Sequence, residues 1–402
     1  MAGSKKKIGW LIPSALEGSG GHRTIFSHMQ YLCDNGYECH AYVEPQGLDA
    51  LSSPEARKRR IVEWFGKTDA TIHLGFEIDQ PFDLLFATVW YSAQFVAAVP
   101  QPCAKAYFIQ DYEAYFNPMG DGYILAEQSY QLGLTPITIG HWLSQRLASQ
   151  FNVPSSCFDF GADLEIYRSR PDVAKEKALC FIYQPEKPRR CPKIGGDALY
   201  LLKQMMPDVT IYTYGSRQAP DYSFEHVHLG LLSRDQCAEL YNRCAVGLCI
   251  SSTNPSRIPF EMMACGLPVV DFYGENNIYD LPETACLLAR PDAASLAEAL
   301  AQLLRDDSRR QDMAKAGIAF MQSRPADLEF RQFLAVVQDL LAGKPVGSLS
   351  QACVYHRPPV VSAGGAQTIA PTTTPRPPLP PLPRRVLNRF GRAWRVLATG
   401  HV

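Results

Sequence analysis

Short apolar runs of strand length alternate with amphipathic helical stretches along most of the chain. The first run, residues 7–12, is followed by a glycine-rich turn, a helix predicted over about 24–35 and a second strand over 38–43. A strand, a glycine loop, a helix and another strand in this order form the opening of a doubly wound α/β domain. The pattern therefore predicts an α/β protein built on parallel sheets.

The same alternation starts again in the second half of the chain, with apolar runs over 178–183, 209–214, 246–250 and 267–272. A chain of 402 residues exceeds the size at which one hydrophobic core keeps growing. We therefore expect two domains, with an amphipathic helix near 329–341 at the end of the second.

The composition changes after residue 342. Residues 343–383 are rich in proline and lack apolar periodicity, which predicts a disordered or polyproline linker. Residues 384–402 are predicted as a basic amphipathic helix. Over 384–397 it carries Val386, Phe390 and Trp394 on one face, arginines on the other, and no acid. Such a helix suits an anionic membrane surface; docking on a partner or on the second domain is the alternative.

Charge and cysteine content narrow the class of protein. Lysine and arginine total 39 and aspartate and glutamate 40, so no global attraction to nucleic acid is expected. The twelve cysteines form no close C-x-x-C pairs and are interpreted as reduced thiols of a cytoplasmic protein. Peripheral attachment to the inner face of the cytoplasmic membrane, through residues 384–397, is the accompanying expectation.

The most informative stretch surrounds Glu261. A proline-rich loop joins the apolar run 246–250 to a helix start, and the apolar run 267–272 follows at once. Open parallel sheets bind their ligands at such strand-to-helix turns. In the first helical turn, the Glu261 carboxylate would accept the paired hydroxyls of a ribose, while free backbone N–H groups face a phosphate. The alternative is an acid favoured only by the helix dipole.

This stretch resembles the donor-nucleotide motif of GT-B glycosyltransferases of family 4. Most of that family has a first glutamate eight residues before the second, and Thr253 occupies that position here. The sequence NPSRIPFEMMACG is similar to the variant in bacterial WsaF-type rhamnosyltransferases, in which a proline-rich loop replaces the first glutamate. The resemblance extends over roughly residues 8–345.

The resemblance implies two Rossmann-like domains, residues 1–165 and 166–342, that face a central cleft. It also implies that the last helix, near 329–341, returns to the first domain. The implied reaction moves a sugar from a nucleotide diphosphate to a hydroxyl of a growing cell-surface glycan or glycolipid, with retention of configuration. L-rhamnose from dTDP-rhamnose is the specific expectation, and another UDP- or GDP-sugar is the alternative. The chain contains no D-x-D, so neither a metal nor a cofactor is expected.

A cationic loop follows the predicted strand 178–183. Lys187, Arg189, Arg190 and Lys193 place four cations within seven residues, beside a helix start. Such a cluster is suited to a diphosphate because charge-assisted hydrogen bonds contribute about 1.5–3 kcal/mol each. The resemblance matches Arg189 to a donor-phosphate arginine, with Arg190 and Lys193 behind it. The alternative is a solvated charged surface.

The resemblance adds further candidates for the donor site. It suggests that glycines of the first domain let the backbone approach the sugar diphosphate, that one turn of the second domain presents backbone groups to the nucleobase, and that the proline-rich loop covers the sugar. The donor-binding candidates are Gly20, Gly21, Arg190, Lys193, Gly215, Leu231, Leu232, Pro255 and Ser256, and the catalytic candidates are Arg189, Arg257 and Glu261.

Candidates for the acceptor site follow the predicted strand 105–109. Gln110, Asp111 and Glu113 come at its carboxyl end, which faces the crevice of a doubly wound sheet. The string QDYEAYF resembles the corresponding loop of WsaF-type enzymes. Asp111 or Glu113 would bind acceptor hydroxyls or act as a base, and the alternative is that both cap the loop.

Two other classes of protein stay open. A glycine loop with an acid after the second strand is typical of NAD-dependent oxidoreductases, but the third glycine of that pattern would fall on Arg23. A non-catalytic glycan-binding or scaffold protein is suggested by Thr253, which stands where most of the family has its first glutamate.

Overall fold

The computed structural model describes residues 5–45 and 53–363. In the first half of the described chain, seven parallel strands form one sheet in the order β3-β2-β1-β4-β5-β6-β7. The strands are β1 Lys7–Ile12, β2 Glu38–Val43, β3 Thr71–Leu74, β4 Leu84–Ala87, β5 Ala104–Ile109, β6 Thr135–Ile139 and β7 Ser156–Phe158. The helices that connect them are α1 Gly20–Asp34, α2 Pro54–Phe65, α3 Trp90–Ala98, α4 Asp121–Ser129 and α5 His141–Phe151.

The second half repeats this architecture. Six parallel strands lie in the order β10-β9-β8-β11-β12-β13. They are β8 Ala178–Ile182, β9 Thr210–Tyr214, β10 Val227–His228, β11 Val246–Leu248, β12 Val269–Phe272 and β13 Cys286–Ala289. The helices are α6 Pro192–Met205, α7 Arg234–Arg243, α8 Ile258–Ala264, α9 Glu275–Ile278, α10 Ala293–Arg305, α11 Asp307–Gln322 and α12 Ala326–Leu341. The predicted α/β class, with two doubly wound sheets, is confirmed.

The last helix, α12, packs against the first sheet. Its Phe333 is fully buried, with ring centroids 6.0 Å from Trp10 and 5.5 Å from Phe108. Trp10 in turn stacks on Phe86 at 4.1 Å. These rings fill the space beside strands that are apolar on both faces, as expected when helices cover a parallel sheet on both sides. The predicted boundary near residue 165 falls between β7 and β8.

The first helix begins earlier than the glycine pattern predicted. It starts at Gly20 instead of about Thr24, because Ser19 caps it: the Ser19 hydroxyl accepts a hydrogen bond from the backbone N–H of His22. Gly18, with φ of 72°, makes the preceding turn. Gly20 and Gly21 are therefore the first two residues of the helix.

The predicted linker from residue 343 is wrong for its first part. Residues 348–362, here called the return segment, run along both sheets. Ser348 pairs with Ser155 beside the first sheet, and Val360 pairs with Ala289 of β13. Between them Tyr355 is buried and its hydroxyl accepts a hydrogen bond from the backbone N–H of Leu288 at 3.0 Å. The buried Tyr355 and the backbone pairing at both ends thus hold this segment against the two sheets, although its proline content predicts a linker.

The rest of the predicted linker and the predicted basic helix at 384–402 lie outside the described residues. Among the helices that the structure describes, none combines the length and the apolar character needed to cross a bilayer.

Candidate active site

Polar side chains from the two domains meet where strands of both sheets end. Asp111, just after β5, accepts hydrogen bonds from the Thr253 hydroxyl and the Asn254 backbone N–H, each at 3.0 Å. The Asn254 side-chain amide donates to the backbone carbonyls of Gln110 and Ile139, both at 3.0 Å. The loop after β11 in the second domain is thus tied to the ends of β5 and β6 in the first.

Asp111 lies at the centre of this contact. Burial raises the pKa of its carboxyl group, while the Asn254 N–H, the nearby Arg189 and the Thr253 hydroxyl act in the opposite direction. The carboxylate is thus held by donors of the second domain. The structure brings Asp111 together with Gln110, as the sequence pattern predicted for residues at the end of one strand.

Arg189 approaches Asp111 from the second domain. Its Nε lies 3.8 Å from Asp111 Oδ2, and its guanidinium carbon lies 4.9 Å from the ring centre of Phe116. Within the described residues, the buried Nε of Arg189 has no hydrogen-bond partner. An unsatisfied buried donor on a cation is suited to an anionic ligand, because leaving such a group unpaired is unfavourable.

The other cations of the loop point in different directions. Arg190 is buried and donates to the Ser251 hydroxyl at 3.0 Å. Lys187 is half-buried, and burial lowers its pKa, as do Arg189 and Arg190. Lys193 lies on α6 with its side chain 81% exposed and paired with Asp197 at 2.7 Å.

The prediction that Lys193 belongs to the phosphate cluster therefore finds no support in this geometry. A lysine in the first turn of a helix projects along that helix, where an acid four residues later attracts it. Lys187, the first of the four cations in this loop, is not among the predicted site residues. Its crowding beside Arg189 and Arg190 is visible only in three dimensions.

Glu261 lies in the first turn of α8, as predicted. Burial raises the pKa of its carboxyl group to about 7, and Arg257, Arg234 and Tyr167 act in the opposite direction. A half-buried carboxyl group with cations on two sides is suited to accept hydroxyl groups of a ligand, provided that it is ionised.

Arg257 caps the same helix, but its side chain is already engaged. Its Nη1 lies 2.6 Å from Glu329 of α12 and 3.4 Å from the Gly161 carbonyl, and its Nη2 lies 3.4 Å from the Thr24 hydroxyl. The side chain thus lies at a junction between α8, α12 and α1, and its role over a donor sugar stays a prediction. No local signal identifies Glu329, because the partners lie 72 residues apart.

The two glycines at the start of α1 differ in the space around them. A Cβ on Gly20 would meet no atom within 4 Å, and on Gly21 the nearest would be Gln110 Nε2 at 3.6 Å. That amide donates to the Gly21 carbonyl at 3.2 Å. The freedom of approach expected of these two residues is therefore present at Gly20, whereas the Gln110 side chain occupies the space beside Gly21.

The remaining donor candidates lie on the loops of the second domain. Gly215 has φ of 99°, and a Cβ there would lie 3.0 Å from Ile182 Cγ1. The Leu231 side chain is 57% exposed, whereas Leu232 packs against the core. In the proline-rich loop Pro255 is buried and the Ser256 hydroxyl lies 3.6 Å from the Cys249 thiol.

Glu113 is not available to an acceptor. Its carboxylate is buried and accepts hydrogen bonds from the backbone N–H of Trp90 at 2.5 Å and from the Tyr107 hydroxyl at 3.0 Å. Burial raises its pKa to about 8. The 3₁₀ turn Glu113–Phe116 directs this side chain inward, toward the start of α3, so this geometry does not support the prediction that it binds an acceptor hydroxyl. The alternative that it caps the following loop is not met either, because Trp90 and Tyr107 both precede it in the chain.

Two parallel α/β domains with converging polar groups at their strand ends define the GT-B architecture. Residues 177–301 match the family model described as WsaF, C-terminal domain. The O-antigen biosynthesis protein RfbC of Myxococcus xanthus is 33% identical over 216 residues, which make up 52% of this chain and 17% of that protein. The match thus spans about a sixth of the length of this curated relative.

Solved structures show the same fold. Sucrose-phosphate synthase from Thermosynechococcus elongatus is similar with a TM-score of 0.62 and 14% identity, covering 85% of this chain and all of that one. Anabaena HepE in complex with UDP and glucose is similar with a TM-score of 0.62 and 15% identity, covering 84% of this chain; it too is covered along its full length. The predicted GT-B fold is thus confirmed, and the predicted relationship to the WsaF type is confirmed over residues 177–301.

Proposed function

We propose that the protein is a glycosyltransferase that moves a sugar from a nucleotide diphosphate to a hydroxyl of a growing cell-surface glycan. The observation that carries this proposal is the approach of Arg189 to Asp111 across the cleft, at 3.8 Å, beside the open start of α1. An unsatisfied guanidinium N–H supplies the positive charge that a departing diphosphate needs. The match to the WsaF C-terminal domain supports the same reaction class.

Each part of the cleft has a role in this proposal. Arg189 and Lys187 bind the diphosphate, Glu261 accepts the ribose hydroxyls, and Gly20 and Gly21 admit the sugar against the backbone. With retention of configuration, the departing phosphate takes the proton of the attacking hydroxyl on the same face of the sugar. Arg189 then stabilises the separating negative charge, and the chain needs neither a protein nucleophile nor a metal.

The donor in this proposal is dTDP-rhamnose, and the product is an extended surface polysaccharide. The resemblance of the loop NPSRIPFEMMACG to WsaF-type rhamnosyltransferases supports this choice over other UDP- or GDP-sugars. The O-antigen name of the Myxococcus xanthus relative supports a surface polysaccharide as the product. A lipid-linked acceptor would place the protein at the inner face of the cytoplasmic membrane, where the predicted basic helix at 384–397 would bind.

The position of Asp111 argues against a decayed, non-catalytic scaffold. Thr253 replaces the first glutamate of the related motif, but its hydroxyl donates to the Asp111 carboxylate at 3.0 Å. An acid of the first domain therefore lies beside Thr253, the position in the second domain where most of the related family has a glutamate.

A thermal-shift comparison of dTDP-, UDP-, GDP- and ADP-sugars tests this proposal. A ligand at about 100 times its dissociation constant stabilises the folded state by about 2.7 kcal/mol. We expect dTDP-rhamnose to raise the melting temperature of the parent protein and of Lys193→Ala, but not of Arg189→Ala. Absence of a shift with every nucleotide sugar would overturn the proposal, and a shift with another sugar would reassign the donor.

A further inference from the structure

Five large apolar side chains are exposed within eleven residues of the first domain. They lie on the 3₁₀ turn Glu113–Phe116, the loop after it and helix α4. The exposed fractions are 43% for Tyr115, 49% for Phe116, 78% for Met119, 47% for Ile124 and 38% for Leu125. We call this set the apolar surface. Clustered exposed side chains of this kind mark interaction sites, because monomeric proteins seldom leave large apolar patches in water.

The backbone beneath the apolar surface is fixed. The Asn117 side-chain amide donates to the Glu113 carbonyl at 3.2 Å, and the Glu113 backbone N–H donates to the Tyr130 hydroxyl at 3.0 Å. The buried Glu113 carboxylate ties the same turn to the start of α3. The outward direction of Tyr115 and Phe116 is therefore built into the fold, and a ligand would find these rings already in place.

The apolar surface is continuous with the cleft. The Phe116 ring lies under the Arg189 guanidinium, at 4.9 Å. The neighbouring Tyr115 hydroxyl accepts a hydrogen bond from Arg146 Nη2 at 3.3 Å, and Arg146 also pairs with Glu275 of the second domain at 3.4 Å. A molecule resting on these two rings would have one end beside the proposed diphosphate site.

We infer that the apolar surface binds the acceptor glycan, with the C–H faces of neutral sugar rings packed on Tyr115, Phe116 and Met119. This inference rests on the proposed function, because the cleft that the surface borders is taken as the reaction site. Pyranose rings present an apolar face and polar edges. The surface offers the matching arrangement of apolar side chains with polar groups at the rim, among them Asn117 and Arg146.

The charges at the rim favour a neutral saccharide over an anionic membrane. Asp121 is exposed in the first turn of α4, and Glu127 lies further along the same helix. The Glu127 carboxylate accepts from the Tyr112 hydroxyl at 2.6 Å, and this hydrogen bond helps to lower its pKa against the effect of burial. Together with Arg146 these acids give the rim charges of both signs, so it offers no concentration of positive charge for anionic headgroups.

The test compares Met119→Ser/Ile124→Ser with the parent protein and with Met205→Ser. Met205 is also exposed, at 39%, but lies at the end of α6 in the second domain. Calorimetry with short neutral rhamnose oligosaccharides, without donor, measures binding directly. We expect affinity to fall by about tenfold in the double variant and to stay within about twofold in the control.

A thermal shift with dTDP-rhamnose reports on the donor site separately, so a failed donor site and a failed acceptor surface give different results. We expect the double variant to keep the shift of the parent. Equal oligosaccharide affinity in all three proteins, or no binding by the parent, would overturn the inference. Vesicle sedimentation supplies a further contradicting outcome. If the parent sedimented with phosphatidylcholine vesicles and the double variant did not, while both kept the same oligosaccharide affinity, the surface would bind lipid.

Discussion

The Asp111 carboxylate of the first domain accepts a hydrogen bond from the Thr253 hydroxyl of the second domain, at 3.0 Å. Thr253 stands where most of the related family carries a glutamate. The two domains therefore share one site: the first supplies the acid, and the second supplies the hydroxyl and the Asn254 N–H that hold it. The acid beside this position therefore comes from a residue 142 positions earlier in the chain.

Replacing Asp111 with asparagine should lower sugar transfer by about tenfold to a hundredfold. The amide keeps the size of the side chain but loses the charge that faces Arg189, and hydrogen bonds to charged groups contribute about 1.5–3 kcal/mol. Steady-state transfer from dTDP-rhamnose measures the effect. Asp208→Asn, which removes an exposed carboxylate paired with Lys177, is the control and should stay within about twofold. Equal rates for both variants would exclude Asp111 from the site.

Arg189→Ala should lower the turnover of sugar transfer far more than Lys193→Ala does, although both variants remove a cation from the same short stretch. Arg189 faces the cleft, so its loss should lower turnover by about a hundredfold, as removal of one preorganised donor does elsewhere. Lys193 is solvent-exposed beside Asp197, and its loss should change turnover by less than about twofold. The same transfer assay checks both, and the reverse order of effects would move the phosphate site to α6.

Glu113→Gln should change the pH dependence of stability while leaving sugar transfer almost unchanged. Burial raises the Glu113 pKa to about 8, whereas an unfolded glutamate titrates near about 4.3. Between these values the folded protein holds a proton that the unfolded chain has released. The contribution of Glu113 to the free energy of unfolding is therefore full below about pH 4 and is lost as the pH rises through about 8.

The amide of Glu113→Gln does not ionise, so its stability relative to the parent should increase between about pH 5 and about pH 9. Urea unfolding midpoints at the two pH values measure this difference. A constant difference would mean that Glu113 titrates normally, and a large loss of transfer at either pH would return it to the acceptor site.

Substitutions of Tyr355 test whether the return segment stabilises the folded protein. Tyr355→Phe leaves the buried Leu288 N–H without its partner, which costs about 1–3 kcal/mol. Tyr355→Ala adds a cavity and should cost about 3–5 kcal/mol in total. Leu349→Ala changes a side chain on the same segment that is 50% exposed, and should stay within about 0.5 kcal/mol. Thermal unfolding checks the three variants, and equal stabilities would mean that this segment is a loose linker.

The parts of the molecule that the sequence predicted are those fixed by neighbouring residues. Buried parallel strands are continuous apolar runs, so β1, β8 and β12 were visible from the pattern alone. Glu261 was visible because a helix start between two such strands is a local feature. The position of Glu261 in the first turn of a helix follows from the residues next to it. The same holds for the position of Arg189 in the loop after β8.

What the sequence did not predict depends on distant partners or on side-chain direction. The Asp111–Thr253 hydrogen bond joins residues 142 positions apart. Glu113 and Asp111 follow the same strand, yet the 3₁₀ turn sends one inward and leaves the other beside the cleft. The return segment was assigned to a linker because its composition is rich in proline, and composition does not record that one buried tyrosine anchors it.

The ion pair between Arg257 and Glu329 allows a last test of what Arg257 does. Nη1 and Oε2 lie 2.6 Å apart, with Glu329 almost fully buried. Removing one partner of a buried pair costs about 3–5 kcal/mol, because the other charge is left without compensation. Arg257→Ala and Glu329→Ala should therefore each destabilise the protein, and the double variant should lose less than the sum. Urea unfolding of the four proteins measures this coupling.

An exposed pair on the same helix supplies the control. Arg331 and Asp327 are one turn apart on α12, about 60% exposed, and their alanine variants should stay within about 0.5 kcal/mol of the parent. Transfer rates then separate the two roles of Arg257. If Arg257 only joins α8 to α12, Glu329→Gln should lower the rate as much as Arg257→Ala does. A rate that falls in Arg257→Ala alone would show that its guanidinium contacts the donor sugar.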